Sequence, residues 1–310
     1  MACRLQESEG KGAVTPSRTV FAVAAVLAGV LAGCSPGKPV KLPIKLPGAA
    51  GPAGPFDRDR LESAIDGSFG GTGTCVVLAE TGSGREVYRY NSNAVCMNPL
   101  PPCSTFKIAN SLIGLDAGVV NPQTVFKWDR KPQPIKAWEQ DADMKTAFKE
   151  SIVWWYQKVA SAVGKPAFEE RLKAFDYGDK TPSGPLTSFW LGPAAGGGLG
   201  ISTLQQAQFL HRLYAGLLPV KPDSAAYVQS IMVDEVRGAA VISGKTGSCA
   251  TVADGSRQVG WWVGRLKTPK LDYVFAASME GDSDNALPGR EVQARVKSAF
   301  AKAGLWPDAP

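Results

Sequence analysis

Strand-like segments stand at both ends of this 310-residue chain and helical patterns fill its middle, a distribution that limits the fold more than any other feature. Thr74–Ala79 and Glu86–Tyr90 are short strand-like runs around the turn Thr81-Gly82-Ser83-Gly84. Ala239–Ile242, Lys245–Val252, Gly260–Leu266 and Tyr273–Ser278 succeed one another at hairpin spacing near the other end. Between Ser104 and about Met232 the chain reads as mostly helical, with long loops. Further helices are expected over Asp57–Ile65 and Arg290–Ala303. Strands supplied from both ends can merge into one sheet with the middle inserted as a lobe. The expected fold is therefore α/β of mixed α+β type. An antiparallel sheet built from both termini is flanked by helices and carries an inserted all-helical lobe over about 104–232, with the site between sheet and lobe.

Residues 1–55 do not share that patterning. Arg4, Lys11 and Arg18 precede an apolar stretch from Phe21 to Ala32 that is short for a membrane span and has the form of a secretory signal. Leu31-Ala32-Gly33-Cys34 resembles a bacterial lipobox. The resemblance implies a signal peptide over 1–33, lipidation of Cys34, and residence in the bacterial periplasm. Ser35, rather than an acidic residue, comes after the cysteine, which implies anchorage to the outer membrane. Residues 34–55 are rich in Pro, Gly and Lys, cannot build a core, and read as a tether to a domain over 56–310.

The formal net charge is +6, much of the excess lies in that tether, and no basic run is interleaved with aromatics, so nucleic acid is not an expected partner. Four cysteines remain beyond Cys34, with no metal-ligand spacing. An oxidising compartment favours one disulfide. Cys75 and Cys96 are the expected pair, and Cys103 is expected to be a buried small residue beside the reactive centre.

That centre is announced by Ser104-Thr105-Phe106-Lys107. Residues three apart share a helix face, so the serine and lysine side chains can meet. Pro101-Pro102 resists helix, while Ile108, Leu112, Ile113 and Leu115 recur at roughly helical spacing. Ser104 is thus expected at a helix start, where unpaired N–H groups favour developing negative charge. A serine there with an amine as base is a layout for acyl transfer. An isolated tetrapeptide of this kind is common; its weight comes from five motifs further along the chain. Ser151-Ile152-Val153 ends a helical stretch, Tyr177-Gly178-Asp179 marks a turn, and Phe189-Trp190-Leu191 precedes a glycine run. Lys245-Thr246-Gly247-Ser248 opens a strand, with Gly247 expected to let a ligand approach the backbone. Arg290 begins the last helix.

In this order the motifs resemble the serine penicillin-recognising enzymes, and most closely the class D (oxacillinase-type) β-lactamases. Gly260-Trp261-Trp262-Val263-Gly264 fits as well. One departure is Asp179, where the family usually carries Asn. The resemblance implies hydrolysis of β-lactam antibiotics through an acyl-enzyme on Ser104, with Lys107 as base. A lysine at its reference pKa is a poor base near neutrality, but burial beside Phe106, Val153 and Trp190 would lower it. A neutral amine can add carbon dioxide, and the family implies N6-carboxylysine at Lys107 with the Trp190 indole donating to it. Carbon dioxide or bicarbonate would then be needed, but no metal and no diffusible cofactor. On the same resemblance, Val153 would keep the pocket dry and Ser151 would relay a proton. The backbone N–H groups of Ser104 and Ser248 hold the oxyanion, and Lys245, Thr246 and Arg290 bind the substrate carboxylate.

The competing expectations are a penicillin-binding sensor and a cell-wall D,D-peptidase, each acylated without rapid turnover. Val153 stands where class A enzymes and most penicillin-binding proteins carry Asn, and His211 alone cannot supply a zinc site or an obvious Ser-His-Asp triad. A monomer or homodimer is expected.

Overall fold

The computed structural model describes residues 56–70, 73–282 and 288–307. The signal segment, Cys34 and the tether lie outside the described residues. The first element is α1 (Arg58–Phe69), started by Asp57, whose carboxylate accepts the Arg60 N–H at 3.0 Å, and stopped by Gly70 at φ +54°. Next along the chain are strands β1 (Thr74–Glu80) and β2 (Glu86–Tyr90) and the short helix α2 (Asn93–Cys96). A 3-10 turn over Cys103–Phe106 runs directly into α3 (Lys107–Asp116). Then come α4 (Met144–Lys149), α5 (Val153–Val163), α6 (Lys165–Ala174), α7 (Thr203–Tyr214) and α8 (Pro222–Ile231). The chain returns to the sheet as β3 (Val233–Arg237), β4 (Ala240–Ala250), β5 (Arg257–Lys267) and β6 (Asp272–Asp282), and α9 (Gly289–Lys302) packs on it.

The sheet has the order β2-β1-β6-β5-β4-β3, with every neighbouring pair antiparallel. Sheet assembly from both ends of the chain is thus as expected. β1 seats the early hairpin against β6, the last strand. Strand periodicity then divides the central side chains. Val76, Leu78, Ile242, Trp262, Phe275 and Ala277 point toward α1 and α9, whereas Val77, Trp261, Val263, Val274 and Ala276 point toward the inserted helices. Both sets are buried, so β5 and β6 read as continuous apolar runs rather than alternating ones.

Two expectations need correction. Ala239–Ile242 and Lys245–Val252 are not two strands; most of both belongs to β4 (Ala240–Ala250), whose pairing to β5 runs without a break from Val241 to Ala250. Gly244, which lies between those two segments, packs against the Trp262 indole within the sheet. The fourth strand is instead β3, an edge strand whose Val233 and Val236 are exposed and three apart, a spacing that mimics helix. Among the inserted helices, α7 packs on β1, β5 and β6. Finally, Cys103 is not a free buried thiol. It is bonded to Cys249, 146 residues away, while Cys75–Cys96 forms as expected.

Candidate active site

The turn before α3 is fixed on several sides. The Cys103 N–H donates to Trp190 O at 2.9 Å, the Thr105 N–H donates to Pro102 O at 3.1 Å, and the Trp261 indole donates to Pro101 O at 2.9 Å. Phe106 is fully buried in an aromatic nest, edge-on to Tyr177 and Phe189 and stacked on Trp190 at 5.5 Å between centroids. These contacts leave Ser104 at the rim and turn Lys107 inward. Lys107 Nζ donates to Ser104 Oγ at 2.9 Å, so the i, i+3 pairing expected from the sequence is present. The lysine is 0 % exposed. Burial holds its pKa well below the usual lysine value, and the nearby Lys245 charge pushes in the same direction. The Tyr156 ring faces its nitrogen at 5.4 Å, a contact absent from the sequence-based expectations; Tyr156 is one turn along α5 from Val153, a helical-face signal that could have shown it.

Trp190 is fully buried, and its indole N–H has no acceptor among the described residues. A buried donor left unpaired is costly, which marks a place where an acceptor belongs. Ser151 occupies the turn between α4 and α5 at φ +60°, a left-handed backbone that is rare outside glycine, and its N–H bonds Phe148 O at 3.3 Å. Val153 is the half-buried first residue of α5. The two residues thus sit at one helix start.

On the sheet side, Lys245 is 5 % exposed, lies over the Phe148 ring at 5.8 Å, and donates to Thr246 O at 3.0 Å. Burial, reinforced by the Arg290 charge, lowers its pKa to about 7. Arg290 is exposed at the start of α9. A cleft of about 390 Å³ opens beside Lys245, Thr246 and Arg290, with Phe148, Met232 and Trp262 also in its walls. Ser104 is not among those walls; the cleft is the cationic flank of the site. At Gly247 the protein itself comes close to the backbone: a Cβ there would stand 3.1 Å from Pro102 O and 3.2 Å from Thr105 N. Ser248 Oγ accepts the Gly289 N–H at 2.7 Å and ties the start of α9 to β4. The Tyr177-Gly178-Asp179 turn lies behind the nucleophile, and Asp179 is structural. Its carboxylate accepts the Gly200 N–H at 2.9 Å and the Thr181 N–H at 3.1 Å.

Comparison with known proteins agrees with this geometry. The penicillin-binding protein transpeptidase domain matches residues 71–301. The chain is 37 % identical over 191 residues to β-lactamase OXA-10 of Pseudomonas aeruginosa, covering 61 % of this chain and 70 % of that one. It is 32 % identical over 227 residues to β-lactamase OXA-1 of Escherichia coli, covering 71 % and 80 %. Among solved structures, BPu1 β-lactamase superposes with a TM-score of 0.70 at 29 % identity, covering 79 % of this chain and 98 % of that one. The family match over residues 71–301 and the identity to these enzymes, in a fold shared with a solved member, place the chain in the transpeptidase-domain family and, within it, among the class D β-lactamases, serine hydrolases of β-lactams.

Proposed function

We propose that Ser104 is the nucleophile of this hydrolase and that Lys107, carboxylated by carbon dioxide, is its general base. The observation that carries the reading is a fully buried lysine amine 2.9 Å from the Ser104 hydroxyl, together with the buried Trp190 indole N–H that lacks an acceptor among the described residues. A lowered pKa favours the unprotonated amine, the form that adds carbon dioxide and loses one proton to become a carbamate. The carbamate would supply an anionic base and an acceptor for Trp190.

The remaining work falls to the chain's own groups. Ser104 attacks the lactam carbonyl carbon, its proton passing to the base, and the ring C–N bond breaks with the nitrogen taking a proton relayed through Ser151. The Ser104 and Ser248 N–H groups hold the charge that develops on the carbonyl oxygen. Lys245, Thr246 and Arg290 hold the substrate carboxylate, and Val153 limits water around the amine. Water then attacks the ester and frees Ser104. For the cell, we propose release past a signal ending at residue 33, a lipid on Cys34 and a periplasmic enzyme on a short tether, on the strength of the lipobox-like Leu31-Ala32-Gly33-Cys34.

The test is turnover of a chromogenic cephalosporin in degassed buffer at low pH, before and after bicarbonate is added. Activity should fall and then recover, with a carbon-13 carbamate signal that Lys107→Ala lacks. Lys107→Ala should acylate slowly once and stay acylated. Indifference to bicarbonate at every pH and no labelled carbamate would leave an unmodified Lys107 amine as the base.

A further inference from the structure

The Cys103–Cys249 disulfide lies at a place that stability alone does not require. Cys103 immediately precedes Ser104, and Cys249 comes immediately after Ser248. One covalent bond therefore joins the two segments whose N–H groups the proposed mechanism uses for the oxyanion. The end of β4 needs such a tie. Its pairing with β3 stops at Ser243, so from Lys245 onward the strand's ladder partner is β5 alone, with the Gly289 N–H bond to Ser248 Oγ as a further side-chain tie. The Gly244 N–H turns away from β5, to Met232 O at 2.8 Å. By the two-residue strand period, and with no register shift in the β4–β5 ladder, the Ser248 N–H turns the same way, toward the open edge.

The other contacts of the nucleophile turn do not do this. The Trp261 indole and Trp190 O hold residues 101 and 103, and Gly247 meets Pro102 and Thr105, but none of these reaches β4 beyond Ser248. Cys103 is fully buried and adopts φ +51°, an unfavourable backbone for a side-chain-bearing residue that persists only where the surroundings impose it. The Trp190 loop closes over the bond, since a Cβ on Gly192 would meet Ala250 O at 2.4 Å and Cys249 Sγ at 3.4 Å. Three segments of the site thus converge on one disulfide. Cys75–Cys96, by contrast, ties β1 to α2, away from these groups.

We propose that the Cys103–Cys249 disulfide is a positioning element of the oxyanion pocket, holding the Ser104 and Ser248 N–H groups in one frame so that its loss lowers turnover rather than stability alone. The inference rests on Ser104 being the nucleophile of a β-lactamase. The experiment compares Cys103→Ala/Cys249→Ala with Cys75→Ala/Cys96→Ala by kcat, KM, melting temperature and affinity for an aryl boronic acid, which places an oxygen where the oxyanion forms. Losing the first disulfide should cut kcat by about 10- to 100-fold, the scale of a misplaced reacting group or a weakened oxyanion donor, and weaken the boronate by a similar factor with KM moving far less. Losing the second should lower the melting temperature and leave kcat within about twofold, as expected of a change remote from the site.

If the first variant does not fold, the Cys75→Ala/Cys96→Ala protein, which retains Cys103–Cys249, is treated with dithiothreitol well below its melting temperature. Activity lost while near-ultraviolet circular dichroism persists, and regained on reoxidation, supports the proposal. A folded protein with the bond removed or reduced and with unchanged kcat and boronate affinity overturns it. Absence of any turnover by the unmodified protein would instead overturn the hydrolase reading, and this inference with it.

Discussion

Both faces of the sheet bury large side chains, more of them on the side of the inserted helices, but the faces differ in what else they bury. On one face, α1 and α9 cover Trp262 and Phe275 with an apolar layer that includes Phe300 of α9. On the other, α3, α5 and α7 bury Lys107, Asn110, Ser111, Thr203 and Gln206 among the apolar groups. Some of those polar atoms are paired, as in Ser111 with Tyr156 at 2.8 Å and Gln206 with Thr105 at 2.7 Å. Others have no partner among the described residues, including Trp190 Nε1 and Asn110 Oδ1. Burying polar groups and an amine costs stability, and the apolar face offsets that cost. Consecutive residues show the division most directly. Trp261 points to the reactive face and holds Pro101, while Trp262 points away and packs 4.4 Å from Phe275.

The largest break in this comparison is Ser104→Ala. It should abolish both turnover and the covalent adduct while the melting temperature stays close to that of the unmodified protein, because a half-buried hydroxyl at the rim carries little packing. A penicilloyl adduct seen by mass spectrometry on Ser104→Ala would move the nucleophile elsewhere. The opposite face should give the opposite result. Phe300 is fully buried between α9 and the sheet, 5.5 Å from Phe275, and Phe300→Ala should cost about 3–5 kcal/mol. That corresponds to a fall in melting temperature on the order of 10 °C with kcat per folded molecule retained. Loss of kcat at a temperature where the variant is folded would show that the faces are coupled and the division is false.

The pH profile sharpens the comparison within the reactive face, where two buried lysines differ in role. Protonation of Lys107 on acidification removes the base, so kcat/KM should fall at low pH. Lys245, with its pKa lowered to about 7, loses its charge as pH rises through that value, so kcat/KM for carboxylate-bearing substrates should fall on the alkaline side. Arg290→Ala should raise KM for such substrates. It should also move the alkaline limb to higher pH, because removing a neighbouring positive charge favours protonated Lys245. An alkaline limb that does not move in Arg290→Ala would detach it from Lys245.

Much of this was legible in the sequence where the physics is local. The three-residue spacing of Ser104 and Lys107, the helix after Pro101-Pro102 and the strand position of Lys245-Thr246-Gly247 depend on near neighbours. What was not legible depends on distant ones. Nothing near Cys103 names Cys249 as its partner, and nothing in Gly260-Trp261-Trp262 says which tryptophan faces the chemistry, because both faces are buried. Edge strand β3 was missed because Val233 and Val236 serve no core and so do not alternate. The left-handed backbones of Cys103 and Ser151 are imposed by packing, without a glycine to announce them.

Asp179 tests how far the reactive face extends, and its expected effect is the smallest. It stands where the family usually has Asn, directly after the buried Tyr177 that packs edge-on to Phe106, with one glycine between. If its charge acted on the site, Asp179→Asn would change kcat or the pH profile. The structure gives the carboxylate other work, with one oxygen accepting the Gly200 N–H and the other the Thr181 N–H. Asparagine presents a single carbonyl oxygen and an amide that cannot accept, so one of the two backbone donors loses its partner. Asp179 itself is exposed, and water can replace that bond, which holds the cost to about 0.5–1.5 kcal/mol. Asp179→Asn should therefore lower the melting temperature by roughly 2–4 °C and leave kcat, KM and both limbs of the pH profile where they were. A shift in the acid limb would mean that the Asp179 charge reaches Lys107, and the reactive face would then include the turn behind the nucleophile.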